Sequence, residues 1–344
     1  MTDEYLWSRA GVADPDVVQL ERILGRLAFA PERATLPRWR LTETRQPHRA
    51  SWRFFGALVA TTAAAIALVL TVARQESSPT LEVTALAGTP TLASHPVSNR
   101  NLWLPGRWLE TGADARANID IENVGRVEIA PDTRIGLLRT RPGDYRLNLA
   151  HGSMQAVIWA PPGQVSVATP SSTAVDLGCV YSMTMDDDGT GLIEVAVGWV
   201  GFEWNGRESF IPAGATCPTR PRLGPGTPRY PDTSDAFRAA LEVIDTSPVQ
   251  TPARTAAVNR VIAEARARDA VTLWHLLSRV DGADRDRVFD ALARLVPPPS
   301  GVTREAIRAG DRQALDRWWD ALDLGTAAWW RIWQQRWRES PAAK

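Results

Sequence analysis

Between Phe54 and Ala73 the alternation of polar and apolar positions stops. The stretch FFGALVATTAAAIALVLTVA carries no charged side chain over about twenty positions, the helix length that crosses a bilayer core of about 30 Å. A secretory leader is a poorer reading, because its apolar run is shorter and lies near the N-terminus. A buried core helix is the other reading, since Ala and Thr leave the stretch only moderately apolar. The preferred expectation is a single transmembrane helix over 54–73. Gly56, Ala60 and Ala64 recur at four-residue spacing, which can form a helix-pairing face.

The flanks orient such a helix. Arginines 33, 38, 40, 45, 49 and 53 precede it with one acid, Glu43, among them, whereas Arg74 and Glu76 follow it. The positive-inside rule then puts the N-terminus in the cytoplasm and the chain beyond residue 74 outside it, as a single-pass inner-membrane protein in contact with the lipid bilayer.

Residues 1–53 read as a cytoplasmic helical segment and a basic linker. Asp14-Pro15-Asp16 supplies a cap and a first-turn proline, and Val17, Leu20, Ile23, Leu24 and Leu27 follow at three- and four-residue spacing as one apolar stripe. So short a helix needs another surface for that stripe. It either packs on Leu6 and Trp7 or docks onto a cytoplasmic protein. Pro31, Pro37 and Pro47 among arginines mark the linker.

From 81 to 217 the period changes to two, with glycine and proline punctuation, which predicts an all-β domain. Arg126–Ile129 and Tyr145–Leu149 alternate polar and apolar, and Val180–Met185 faces Leu192–Val197 across an Asp186–Gly191 turn whose Asp-Gly step is a strong hairpin signal. The Asp triplet in that turn lacks the spacing and closing Glu of a calcium loop, so it reads as solvated. Residues 218–232, rich in proline and glycine, read as an extended linker. Helical periodicity then fills 233–339. Thr251-Pro252 opens one helix, Asp269 caps another that carries Leu273, Trp274, Leu276, Leu277 and Val280 and ends at Asp281-Gly282, and Val288, Phe289, Leu292 and Leu295 line a third. Further helices are expected over 303–309 and 311–322. Such an array is a helical bundle or a short α-solenoid.

A formal net charge of zero gives no electrostatic case for direct nucleic-acid binding. No phosphate loop, nucleophile elbow or HExxH is present, and His48, His95, His151 and His275 are scattered, so no catalytic, metal or cofactor residue is assigned. His275, beside Trp274, reads as structural. The two cysteines, Cys179 and Cys217, would both face an oxidising compartment in the orientation above, where disulfides persist. A bridge would close a loop of about 39 residues and add roughly 3–4 kcal/mol. Two buried thiols are the alternative. Six of fifteen tryptophans lie between Trp318 and Trp337. Trp330, Trp333 and Trp337 share a helix face that suits docking on the bundle, a membrane interface or carbohydrate stacking.

Several segments together resemble the FecR domain of membrane-bound sigma-factor regulators. They are Leu104-Pro105-Gly106-Arg107-Trp108-Leu109-Glu110-Thr111-Gly112-Ala113-Asp114-Ala115-Arg116-Ala117, then Gly125–Ile135 (GRVEIAPDTRI), Tyr145–Gly152 (YRLNLAHG), Val167–Pro170, Asp176-Leu177-Gly178 and Val195–Val200 (VAVGWV). The resemblance covers about a third of the chain. It implies a β-rich extracytoplasmic sensor, sandwich- or solenoid-like, and an N-terminal segment that binds a sigma factor. Cys179 stands where the family usually has Thr, which fits a subgroup bridged to Cys217. No Cys or His supports a zinc-type anti-sigma segment.

The expected protein is thus a multidomain, single-pass signal transducer without enzymatic activity. A sigma factor would be its cytoplasmic partner and an envelope protein or glycan its outer one. The alternative is an envelope-anchored scaffold that holds protein or glycan through the β domain and the Trp-rich helices.

Overall fold

The computed structural model describes residues 81–98, 100–327 and 331. The chain opens with β1 (Leu81–Ala87), β2 (Thr91–Leu92), β3 (His95–Pro96), β4 (Asn101–Trp103), β5 (Trp108–Glu110) and β6 (Arg116–Ile121). It continues with β7 (Gly125–Ile129), β8 (Arg134–Arg141), β9 (Asp144–Ile158), β10 (Val165–Ala168), β11 (Thr173–Asp176) and β12 (Val180–Met185). The last strands are β13 (Gly191–Val197), β14 (Trp199–Trp204), β15 (Arg207–Pro212), β16 (Thr216–Arg220) and β17 (Gly224–Pro225). Helices follow: α1 (Asp235–Thr246), α2 (Pro252–Glu264), α3 (Ala270–Leu277), α4 (Gly282–Leu295), α5 (Arg304–Arg308) and α6 (Arg312–Asp320).

The strands form two sheets that share β9. One runs β4-β1-β6-β7-β9-β12-β13-β16-β17 and the other β3-β2-β5-β8-β9-β10-β11-β14-β15. Among the described strands only β9 and β10 pair in parallel. The chain changes sheets every strand or two, and β9 does so within itself. Tyr145, Leu147 and Leu149 are buried in its first half, and Met154, Ala156 and Ile158 in its second. The odd-to-even change at the bend keeps the apolar side inward as the strand passes from one sheet to the other.

At that bend several of the glycine- and threonine-bearing segments come together. Thr111, Thr133, Gly152 and Ser153 meet at one corner where β5–β6, β7–β8 and β9 all switch sheets. The Thr111 hydroxyl donates to Ala130 O at 2.7 Å and accepts from Thr133 N–H at 2.9 Å, while Ser153 N–H donates to Thr133 Oγ1 at 2.9 Å. Gly152 has φ of +94°, and a Cβ there would lie 2.3 Å from Thr133 Oγ1 and 2.6 Å from Asp132 O. A second corner pairs the β11–β12 turn with the β13–β14 turn, where a Cβ on Gly198 would meet Gly178 O at 2.3 Å.

Three expectations are corrected. Among the described residues no helix is long and apolar enough to cross a membrane. The single-span fold class, and the inner-membrane placement built on it, therefore give way to large sheets followed by C-terminal helices. The stretch 54–73, the stripe Val17–Leu27 and Trp330, Trp333 and Trp337 lie outside the described residues. Residues 218–232 are not a free linker: they supply most of β16 and all of β17, and Thr227 and Tyr230 are buried. Proline's extended backbone suits a sheet rim, and Pro96, Pro212 and Pro225 likewise lie on edge strands.

The third correction concerns the disulfide, since Cys179 and Cys217 are separate buried thiols. Cys217 aligns with Ile193, and Ile193 with Met183. Cys179 is thus two strands across and four residues along, about 16 Å away at ordinary strand spacings. A bridge needs Cα atoms within roughly 7 Å.

The strands and helices belong to one compact unit and one buried core. Thr251 caps α2 through Arg254 N–H with Pro252 in the first turn, as the cap-and-proline pattern predicts, and Asp281 and Gly282 open α4 instead of closing α3. Replacing Gly152 by Ala should lower the unfolding free energy in urea by about 3 kcal/mol or more, from backbone strain and the clash at Thr133. Gly143→Ala, at φ +74° in open space, should cost only about 1 kcal/mol.

Candidate functional site

β15 is the last strand of its sheet, and among the described strands it pairs only with β14. Its outward backbone groups are met by α3 instead of another strand. Phe210 N–H donates to His275 Nε2 at 2.9 Å, and Glu208 O accepts from Arg279 Nη2 at 3.3 Å. Because Nε2 is an acceptor, the ring proton sits on Nδ1, which donates to Val271 O at 2.7 Å. Burial, with the Arg279 charge adding to it, pulls the His275 pKa down to about 3. The imidazole is neutral, and both nitrogens are engaged in holding the helix on the strand.

Arg279 follows one turn beyond His275 and is 7% exposed. It donates to Asp245 Oδ1 at 3.0 Å, Thr227 Oγ1 at 2.9 Å and Ser209 Oγ at 2.6 Å. Asp245, near the end of α1, also accepts from Arg207 Nη2 at 2.7 Å, Thr227 Oγ1 at 2.8 Å and Thr227 N–H at 2.6 Å. One carboxylate thereby ties α1, α3, β15 and the 218–232 stretch together. Arg254 closes the group from α2, donating to Ser247 O at 3.3 Å and Arg279 O at 2.6 Å, carbonyls just beyond the ends of α1 and α3.

A cleft of about 880 Å³ opens beside this junction, lined by Arg207, Glu208, Asp245, Arg254, Arg279 and Arg312 among others. Phe210 and Trp274 also line it, their ring centroids 6.4 Å apart. Arg331, also in the lining, bridges Glu208 at 3.1 Å and Asp316 at 2.8 Å. The volume suits a small ligand, and the wall is predominantly cationic.

The residues singled out from sequence do not converge here. Cys217 donates to Gly226 O at 3.1 Å, and burial pushes its pKa up to about 12. Cys179 donates to Asp176 Oδ2 at 2.5 Å; burial and that carboxylate push its pKa far upward, while burial raises Asp176 to about 6. Both thiols are protonated packing groups. Among the described residues no cluster of three or more His, Cys, Asp or Glu is placed to hold a metal. Sequence reading missed Arg207, Asp245, Arg254 and Arg279, which come from four separate elements. The available signal was Arg279, a charge that continues the Val271–His275 face at four-residue spacing.

No family model matches the chain, and no curated protein sequence matches it. Among solved structures, the crystal structure of a presumed anti-sigma factor from Parabacteroides distasonis is similar over 39% of this chain and 63% of that chain, with 11% identity and a TM-score of 0.32. The likeness fixes neither fold nor function.

Two outcomes follow from the junction. Asp245→Ala strands the buried Arg279 charge and should destabilise the protein by about 3–5 kcal/mol in urea unfolding. His275, unfolded near 6.5 and folded near 3, supports the fold fully above pH 6.5 and loses that support as pH falls, about 2 kcal/mol by pH 5. Asp176, raised to about 6, has the opposite sign and gains stability as pH falls from 6 toward 4. His275→Gln keeps an acceptor for Phe210 N–H without titrating. The wild-type-minus-variant stability should therefore drop by about 2 kcal/mol between pH 7.5 and pH 5, with Asp176 cancelling in the difference.

Proposed function

We propose that the chain is a non-catalytic regulator of a sigma factor, in which the sheet–helix unit is a ligand-receiving module and the Val17–Leu27 stripe holds the sigma factor. The observation that supports this reading is the agreement between motif and corner. The FecR-type segments around Thr111, Thr133 and Gly152 share one sheet-switching corner, and those around Gly178 and Gly198 share another. Motifs that recur for sheet-switching corners describe a fold, so the regulatory role comes from the family resemblance.

The division of labour follows from chemistry. The sheet–helix unit offers a roomy cationic cleft that Phe210 and Trp274 also line, suited to binding. The N-terminal stripe offers Val17, Leu20, Ile23, Leu24 and Leu27 for a helix-in-groove contact. Occupancy of the cleft would act on the stripe only by binding its available and masked states with different affinities.

Co-purification of the full chain with extracytoplasmic-function sigma factors from the same genome tests this reading. A sigma factor should be retained by the wild type and lost from a Leu20→Asp, Leu24→Asp variant whose urea unfolding is unchanged. Failure to retain any sigma factor, or equal retention by the variant, contradicts it.

A further inference from the structure

We propose that the cleft beside β15 is an oxyanion site, receiving the phosphate or carboxylate group of a small ligand through the guanidinium of Arg207. The inference deepens the reading of the sheet–helix unit as a ligand-receiving module and rests on it.

The first observation is a charge imbalance. Arg207, Arg254 and Arg279 gather around one carboxylate, Asp245. That carboxylate is saturated: Oδ1 accepts from both Arg207 and Arg279 and from the Thr227 hydroxyl, and Oδ2 accepts from Thr227 N–H. Arg254 meets only carbonyl oxygens. Three cations face one anion, and buried charges of one sign call for a counter-charge. Glu208, the other carboxylate lining the cleft, is held by Arg331.

The second observation separates Arg207 from its neighbours. Arg254 and Arg279 each have structural work, one on the carbonyls beyond two helices and the other on the outward edge of β15. Among the described residues Arg207 has one acceptor, Asp245, which Arg279 already satisfies. Its Nε is buried with no acceptor among the described residues, and an unmade buried donor is costly. Its side chain is 29% exposed and borders the cleft. The exposed part of the guanidinium keeps N–H donors beyond the one given to Asp245, in the planar fork best shaped for the paired oxygens of carboxylate or phosphate. Burial and the nearby Arg279 charge pull its pKa down, so an added anion would favour the charged form.

The third observation is the surroundings. Arg312 adds an exposed cation to the lining, and Phe210 and Trp274 supply aromatic surface. The site thus suits an organic acid or phosphate ester with an apolar or planar part, and inorganic phosphate and citrate are its simplest probes.

Titration of the full chain with phosphate or citrate at constant ionic strength, followed by tryptophan fluorescence and calorimetry, tests the site. At least one probe should bind saturably. Arg207→Gln should weaken that binding at least tenfold while leaving the urea transition in place, because Arg279 still holds Asp245. Arg126→Gln, on an exposed strand position away from the cleft, should leave binding unchanged. Absence of saturable binding by both probes, or equal binding by Arg207→Gln, overturns the proposal. The Leu20→Asp, Leu24→Asp variant separates the two readings: if no sigma factor is retained yet the anion binds through Arg207, the oxyanion site stands and the regulatory reading falls.

Discussion

An open sheet edge is the constraint on which this structure turns. A terminal strand carries a row of unmatched N–H and C=O groups and will pair with whatever reaches it. β15 is such a strand, and the protein meets the constraint with side chains of one helix. His275 accepts from Phe210 N–H and Arg279 donates to Glu208 O. Both come from the face of α3 and its extension, four residues apart, so a helix laid along the strand presents an acceptor and a donor in sequence. The imidazole can accept only when neutral, and its burial keeps it so.

Each solution then imposes a further requirement. A buried Arg279 needs a carboxylate, and α1 provides Asp245. Asp245 needs more than one donor, and the stretch after β17 provides Thr227. The helices after α1 hold these groups in place, with Arg254 of α2 closing the junction against the carbonyls beyond α1 and α3. Sheet and helices therefore share one core and not two cores with a tether. The same logic leaves a remainder: with Asp245 satisfied by Arg279, Arg207 is a guanidinium beyond structural need at the mouth of a large cleft.

How much of this was legible depended on the distance over which each cause acts. Local causes were readable. The Val180–Met185 strand and its aspartate turn, the alternation of Tyr145–Leu149 and the Thr251-Pro252 helix start are all present as their short-range patterns predict. Long-range causes were not. The prolines of 218–232 favour extended backbone, but only the exposed side of β16 makes that extension a strand. Cys179 and Cys217 suggested a bridge because their compartment was inferred from a distant apolar stretch, whereas their separation is set by sheet register. The junction itself draws on residues 207, 245, 254 and 279, and no spacing rule joins them. His275 was readable as structural, but its strand partner was not.

The central claim is that α3 closes the β15 edge, and the Phe210 amide reports on it directly. Hydrogen exchange at Phe210, compared with a core amide such as Val127 in β7, measures how often that edge opens. Closure by His275 predicts exchange only through global unfolding, with Phe210 as protected as Val127. Exchange at Phe210 as fast as in a solvent-exposed edge strand, while Val127 stays protected, would contradict the account.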